Sequence, residues 1–159
     1  MRGLTRIALA ALAALAAVVG ASCSGSTDGD STTGDDSRPI LLTLHPGAFV
    51  FGSAEDMTVA DGIAEEMGFE PVPVEYPLAN LPAAVAQVEE MARRYDASGR
   101  EVFAYGESAG GTLAALLAQR GQVEASATYA QVTDLRKLID RSAKPRFYEK
   151  ALQAWPGQI

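Results

Sequence analysis

In 159 residues this chain has one cysteine, one histidine and one tryptophan, and each scarcity excludes something. A lone cysteine cannot close an intrachain disulfide, so stability must come from packing. A lone histidine with no cysteine cluster beside it does not assemble the usual transition-metal ligand sets, and no cofactor motif is present. Positive charge is also short, with 13 Lys and Arg against 20 Asp and Glu and a net charge of −7. Such a surface lacks the basic footprint that nucleic acid requires, so no nucleic-acid partner is expected. No apolar run is long enough to span a bilayer as a helix, and no internal repeat is visible.

Three regions differ in composition. Residues 1–22 open with the basic stretch Met1-Arg2-Gly3-Leu4-Thr5-Arg6 and continue as the unbroken apolar run Ile7 to Val19, the pattern of an export signal. Gly20-Ala21-Ser22-Cys23 follows and resembles a bacterial lipobox, in which the cysteine is diacylated and becomes the mature N-terminus. Gly20 stands where an aliphatic residue is usual, so two readings stay open: a cell-envelope lipoprotein anchored to a membrane through Cys23, or a secreted protein with a free thiol. Loss of Arg2 and Arg6 with the signal leaves 11 basic residues against 20 acidic ones, a charge of about −9. Residues 23–38 form a linker in which Ser24 to Ser37 are only Ser, Thr, Gly and Asp, with nothing apolar to bury. The globular part is expected over 39–159, at most one domain.

Within that part the periodicities alternate. Ile40 to Leu44 is a short apolar run suited to a strand covered on both faces. Ala54 to Met67 carries Met57, Ala60, Ile63, Ala64 and Met67 at helical spacing and stops at Gly68. Pro71 to Tyr76 reads as a strand whose prolines favour a sheet margin. Pro82 opens an amphipathic helix with Val85, Val88, Met91 and Ala92 on one side. Val102 to Tyr105 is a third strand, Thr112 to Arg120 a helix closed by Gly121, and Val123 to Ala130 a fourth strand. Strands alternating with helices predict an α/β fold with a parallel sheet of about four strands. Arg136 to Asp140 suggests one helical turn, and Pro145 to Trp155 a last helix with no evident surface to cover.

Chemistry concentrates where the third strand breaks. In Tyr105-Gly106-Glu107-Ser108-Ala109-Gly110-Gly111 a serine stands between two glycines at a strand-to-helix turn. Glycine is needed there because side chains two residues either side of a sharply turned serine collide with the adjoining strand and helix. Together with His45-Pro46-Gly47-Ala48-Phe49-Val50-Phe51-Gly52-Ser53 after the first strand and Glu75-Tyr76-Pro77-Leu78-Ala79 after the second, this chain resembles the α/β-hydrolase family, in its esterase and lipase branch with an HGGG-type oxyanion loop. The resemblance runs from Ile40 to Ile139 and corresponds to the N-terminal part of that fold. It implies the strand order 74-42-104-128, naming each strand by a central residue. It also implies Ser108 as nucleophile, and the backbone amides of Gly47, Ala48 and Ala109 as oxyanion donors. Pro46 and Ala48 stand where that branch has glycine.

In the family the triad histidine follows the acid late in the chain, whereas His45 begins the oxyanion loop. Support of that loop is the role the resemblance implies for it; general base and metal ligand are the other readings. Asp134 is the only carboxylate in a loop comparable to that of the triad acid, and a helix cap over Leu135 to Ile139 is the rival reading. The expectation is a carboxylic-ester hydrolase of small-molecule or lipid-like esters, shortened so that acid and base are lost, and weakly active or inactive. The alternative is a catalytically dead surface lipoprotein that binds an apolar ligand or partner in the same crevice.

Overall fold

A computed structural model describes residues 37–134 and Lys137. The export signal 1–22, Cys23, nearly all of the linker and the helix expected from Pro145 to Trp155 lie outside the described residues. Four strands, β1 (Ile40–Leu44), β2 (Glu70–Val74), β3 (Val102–Glu107) and β4 (Ala125–Tyr129), form one sheet in the order β2-β1-β3-β4. Every neighbouring pair is parallel, as expected for this sequence.

Parallel neighbours require crossovers, and helices supply them. Between β1 and β2 lie a 3-10 turn, Ala54–Met57, and helix α1 (Thr58–Glu66); α2 (Leu81–Asp96) joins β2 to β3, and α3 (Ala109–Gln119) joins β3 to β4. The period-2 alternation of β1 sorts the core into two layers. Ile40, Leu42 and Leu44 pack with Val85 and Val88 of α2 and Leu113 and Leu117 of α3. Leu41, Phe103 and Tyr105 point the other way, onto Ala60 and Ala64 of α1 with Met57 and Phe69.

Local chemistry sets the element ends. The helix expected from Ala54 begins instead as a 3-10 turn, and two carboxylates receive the free amides at its start: Asp56 Oδ2 accepts from Ser53 N at 2.9 Å and Glu75 Oε2 from Ala54 N at 2.9 Å. α1 stops at Gly68, whose φ of +87° lets Phe69 N reach Ala64 O at 3.0 Å. Asn80 caps α2 by accepting from Ala83 N at 3.2 Å, so the helix starts at Leu81, one residue earlier than the Pro82 start expected. β2 pairs only with β1, so the margin position that Pro71 and Pro73 suggested is the one observed. It ends at Val74, which leaves Tyr76 in the connection to α2.

Candidate active site

β1 and β3 are neighbours, yet the chain leaves β1 for β2 on one side and reaches β3 on the other. The sheet therefore has its topological switch between them, and the crevice beyond their carboxyl ends is where open α/β sheets take ligands. His45 follows β1 there, and Ser108 follows β3.

Ser108 caps α3 with φ 51° and ψ −110°, a region that residues with a Cβ rarely occupy. Two backbone hydrogen bonds hold it there. Its amide donates to Tyr129 O at the end of β4, 2.8 Å, and its carbonyl accepts from Thr112 N, 3.1 Å. Thr112 in turn donates through Oγ1 to Val132 O at 2.9 Å and accepts from Val132 N at 3.1 Å, tying the helix start to the segment after β4. The flanking glycines are steric necessities. A Cβ on Gly106 would fall inside the backbone of Gly110, and one on Gly110 inside the Leu44 carbonyl and 2.6 Å from His45 O. Ala109, the first residue of α3, has an amide with no partner inside its own helix.

The loop after β1 is tightly coiled. Gly47 has φ +135°, and Ala48 and Phe49 follow in the left-handed region at 51° and 63°. Gly47 O accepts from Val50 N at 2.9 Å and Phe51 N at 3.0 Å, closing the turn on itself. Pro46 is accommodated without difficulty, since its carbonyl rather than an amide is used: it accepts from His45 Nδ1 at 2.7 Å. That bond requires the proton on Nδ1, because a carbonyl can only accept. Nε2 is buried with no hydrogen-bond partner, so the ring makes no hydrogen bond to Ser108 Oγ. The His45 ring, wholly buried, lies flat on Tyr76 with centroids 4.1 Å apart and planes 1° from parallel. Its backbone carbonyl accepts from Gly110 N at 3.1 Å, which docks the loop onto the start of α3.

Of the residues expected at this site, Ser108, Ala109, His45, Gly47 and Ala48 all lie on the two segments that meet in the crevice. Asp134 is differently engaged. Its carboxylate accepts from Lys137 N at 2.9 Å and pairs with Lys137 Nζ at 3.1 Å, the geometry of a helix cap, in keeping with the capping reading. Among the described residues no cluster of His, Cys, Asp or Glu could hold a metal ion, and no helix is long and apolar enough to cross a membrane.

Two tyrosines were missed as partners of the site. Tyr76 OH donates to His45 O at 2.6 Å, and Tyr105 OH to Glu107 Oε1 at 2.9 Å. Burial chiefly, then the neighbouring Glu75 and Asp56 charges, pushes the Tyr76 hydroxyl well above the ordinary tyrosine range; burial and Glu107 do the same for Tyr105. Both therefore remain donors at any physiological pH. Tyr76 occupies a segment that the sequence pattern does mark, but a ring stack across 31 residues of chain leaves no periodic trace. A cleft of about 480 Å³ lined by Arg93, Asp96, Gln122 and Glu124 lies at the amino ends of β3 and β4, the end of the sheet away from Ser108.

A parallel α/β sheet with a strained serine at the strand-to-helix elbow of its switch point defines a recognisable architecture. The family model for the α/β hydrolase fold matches residues 41–146, and the chain belongs to that family. Among solved structures it is similar to a Pyrobaculum calidifontis esterase, at 31% identity and TM-score 0.49 over 63% of this chain and 36% of that one. It is also similar to a bacterial heroin esterase, at 24% identity and TM-score 0.53 over 92% of this chain and 59% of that one. Esterase B from Lactobacillus rhamnosis gives 18% identity and TM-score 0.58 over 96% of this chain and 65% of that one. The chain thus spans less than two thirds of the length of each of these three structures. Among curated protein sequences none matches it.

Proposed function

We propose that the chain carries the nucleophile and oxyanion loop of a carboxylic-ester hydrolase acting on small-molecule or lipid-like esters. The observation that carries this reading is Ser108 itself, held at φ 51° and ψ −110° between glycines that no larger residue could replace. Backbone strain of this kind costs about 1–3 kcal/mol and persists only where surrounding structure enforces it. Such strain clusters at functional sites. Membership of the α/β hydrolase family and likeness to esterases support the same reading.

In the proposed reaction Ser108 Oγ attacks the ester carbonyl carbon, the hydroxyl proton passes to solvent water, which later reprotonates the departing alkoxide, and the carbonyl π pair moves onto oxygen. The amides of Gly47, Ala48 and Ala109 receive that charge, each donor contributing about 3–4 kcal/mol. Collapse expels the alcohol and leaves an acyl-serine, which water hydrolyses. No imidazole is available to take the hydroxyl proton: the one histidine of the sequence is His45, whose Nδ1 donates to Pro46 O and whose Nε2 makes no hydrogen bond. Loss of a triad member slows such enzymes by about 10⁴- to 10⁶-fold, so this chain alone is weakly active or inactive. Cys23 anchors it by a lipid to the bacterial envelope in the same reading, and labelling with a radioactive fatty acid should disappear in Cys23→Ala. Hydrolysis of p-nitrophenyl acetate should be slow, and abolished in Ser108→Ala. Equal rates in the two proteins, or rapid turnover that His45→Ala destroys, would overturn the assignment of roles.

A further inference from the structure

We propose that Tyr76 is a positioning residue for the oxyanion loop, fixing the loop's amides relative to Ser108 through the His45 carbonyl and ring. The inference deepens the ester-hydrolase reading and rests on it. The His45 side chain cannot anchor the loop by its own hydrogen bonds, because Nδ1 is spent on the adjacent Pro46 carbonyl and Nε2 has no partner. Its lateral hold comes from Tyr76, by the parallel ring stack at 4.1 Å and by the hydroxyl's 2.6 Å bond to His45 O. That oxygen is also the acceptor for Gly110 N, two residues past the nucleophile. One carbonyl thus joins β2's exit, the loop and the start of α3, with Tyr76 and Gly110 converging on it.

The neighbours of Tyr76 act on the same loop. Glu75 Oε2 accepts from Ala54 N at 2.9 Å, and Ala79 N donates to Phe49 O at 2.6 Å. The segment 75–79 therefore grips the loop at its start, middle and end. A grip is needed because Ala48 and Phe49 both sit in the left-handed region, where residues with a Cβ are disfavoured and relax unless held. Placement errors of an ångström in such donors are costly to the reaction they serve.

Tyr76→Phe in the full chain removes the hydroxyl and keeps the stack, and two readouts separate positioning from fold support. Backbone amide hydrogen exchange should accelerate about tenfold at Val50, Phe51, Ala79 and Gly110, with Leu42 in β1 and Val88 in α2 unchanged. Covalent labelling of Ser108 by an alkyl fluorophosphonate, followed by mass spectrometry, should slow about tenfold; it forms the Oγ–P bond, releases fluoride and gives the hydroxyl proton to solvent. Unchanged exchange at the four amides overturns the proposal, and so does unchanged labelling in a loop that has loosened. Uniform acceleration across the sheet, or loss of folding, overturns it in favour of simple fold support. If wild-type Ser108 labels no faster than the exposed Ser98, the oxyanion donors contribute nothing and the ester-hydrolase reading fails, and the exchange pattern alone decides whether Tyr76 holds the loop.

Discussion

The elbow and the oxyanion loop solve the same problem in opposite ways. Each must hold backbone in a conformation that side chains resist. At the elbow the positive φ falls on Ser108 alone, and the glycines at 106 and 110 let β3, α3 and the exit of β1 approach more closely than any Cβ would allow. In the loop two consecutive residues with side chains, Ala48 and Phe49, take left-handed angles, and contacts from elsewhere hold them: Tyr76 on His45, Ala79 on Phe49, and Gly110 on the His45 carbonyl. The glycines of the elbow leave no room for any other residue, although Ser108 also leans on Tyr129 O and, through Thr112, on Val132. Geometry held by distant contacts can be loosened by one substitution far away in the sequence.

The largest effect should come from breaking the elbow. A Cβ at Gly110 meets the Leu44 carbonyl, which is sheet backbone and cannot move aside, so Gly110→Ala should cost at least about 3 kcal/mol in urea unfolding. Gly62, inside α1 with open space where its Cβ would stand, is the control: Gly62→Ala should stabilise by about 0.5–1 kcal/mol. Equal costs at the two positions would show that the elbow is not sterically closed. Smaller effects should follow from relieving strain. Ser108→Gly should stabilise by about 1 kcal/mol while removing all fluorophosphonate labelling, the mark of strain kept for function. Ala48→Gly should gain less, about 0.5 kcal/mol, because the freedom glycine adds to the unfolded chain offsets part of the relief. A destabilised Ser108→Gly would mean that the serine side chain contributes more to the fold than its backbone angles cost.

The elbow was legible in the sequence and the loop's support was not, for the same physical reason. Gly106, Ser108 and Gly110 are a spacing on one stretch of chain, and periodicity around them announces strand and helix. Sheet order, too, was implied by the family resemblance that those motifs carry, and the prolines of β2 favoured its margin. The hold of Tyr76 on His45 depends instead on where two strand exits meet in space. Likewise the acceptor for the Ala54 amide is Glu75, 21 residues away, and no helical-spacing argument contains that carboxylate. The exposed apolar residues Phe51 and Leu78, which flank this grip, carry no periodic signal either.

The smallest expected effect asks whether the loop also depends on β1's other ties. Thr43, wholly buried one residue before the end of β1, donates to Asp61 Oδ1 of α1 at 2.6 Å. Burial holds the Asp61 carboxyl above its ordinary value of 3.8; the Thr43 hydrogen bond opposes that shift and the Glu65 charge adds to it. An acid raised on folding binds its proton more readily in the folded state, so its ionisation subtracts stability. The loss is complete above the raised folded pKa, and it fades as pH falls through that pKa to 3.8, below which both states are protonated. Asp61→Asn keeps the oxygen that Thr43 uses and removes the charge. At pH 7 it should therefore raise stability, by under about 0.5 kcal/mol because the group is partly solvated and screened. The urea midpoints of the two proteins should converge as the pH drops below about 3.8. Amide exchange at Val50, Phe51 and Ala79 should be the same in both, since none of the loop's three grips involves α1. A gain that persists at pH 3 would refute the electrostatic account, and altered loop exchange would show that β1, rather than the segment around Tyr76, sets the loop.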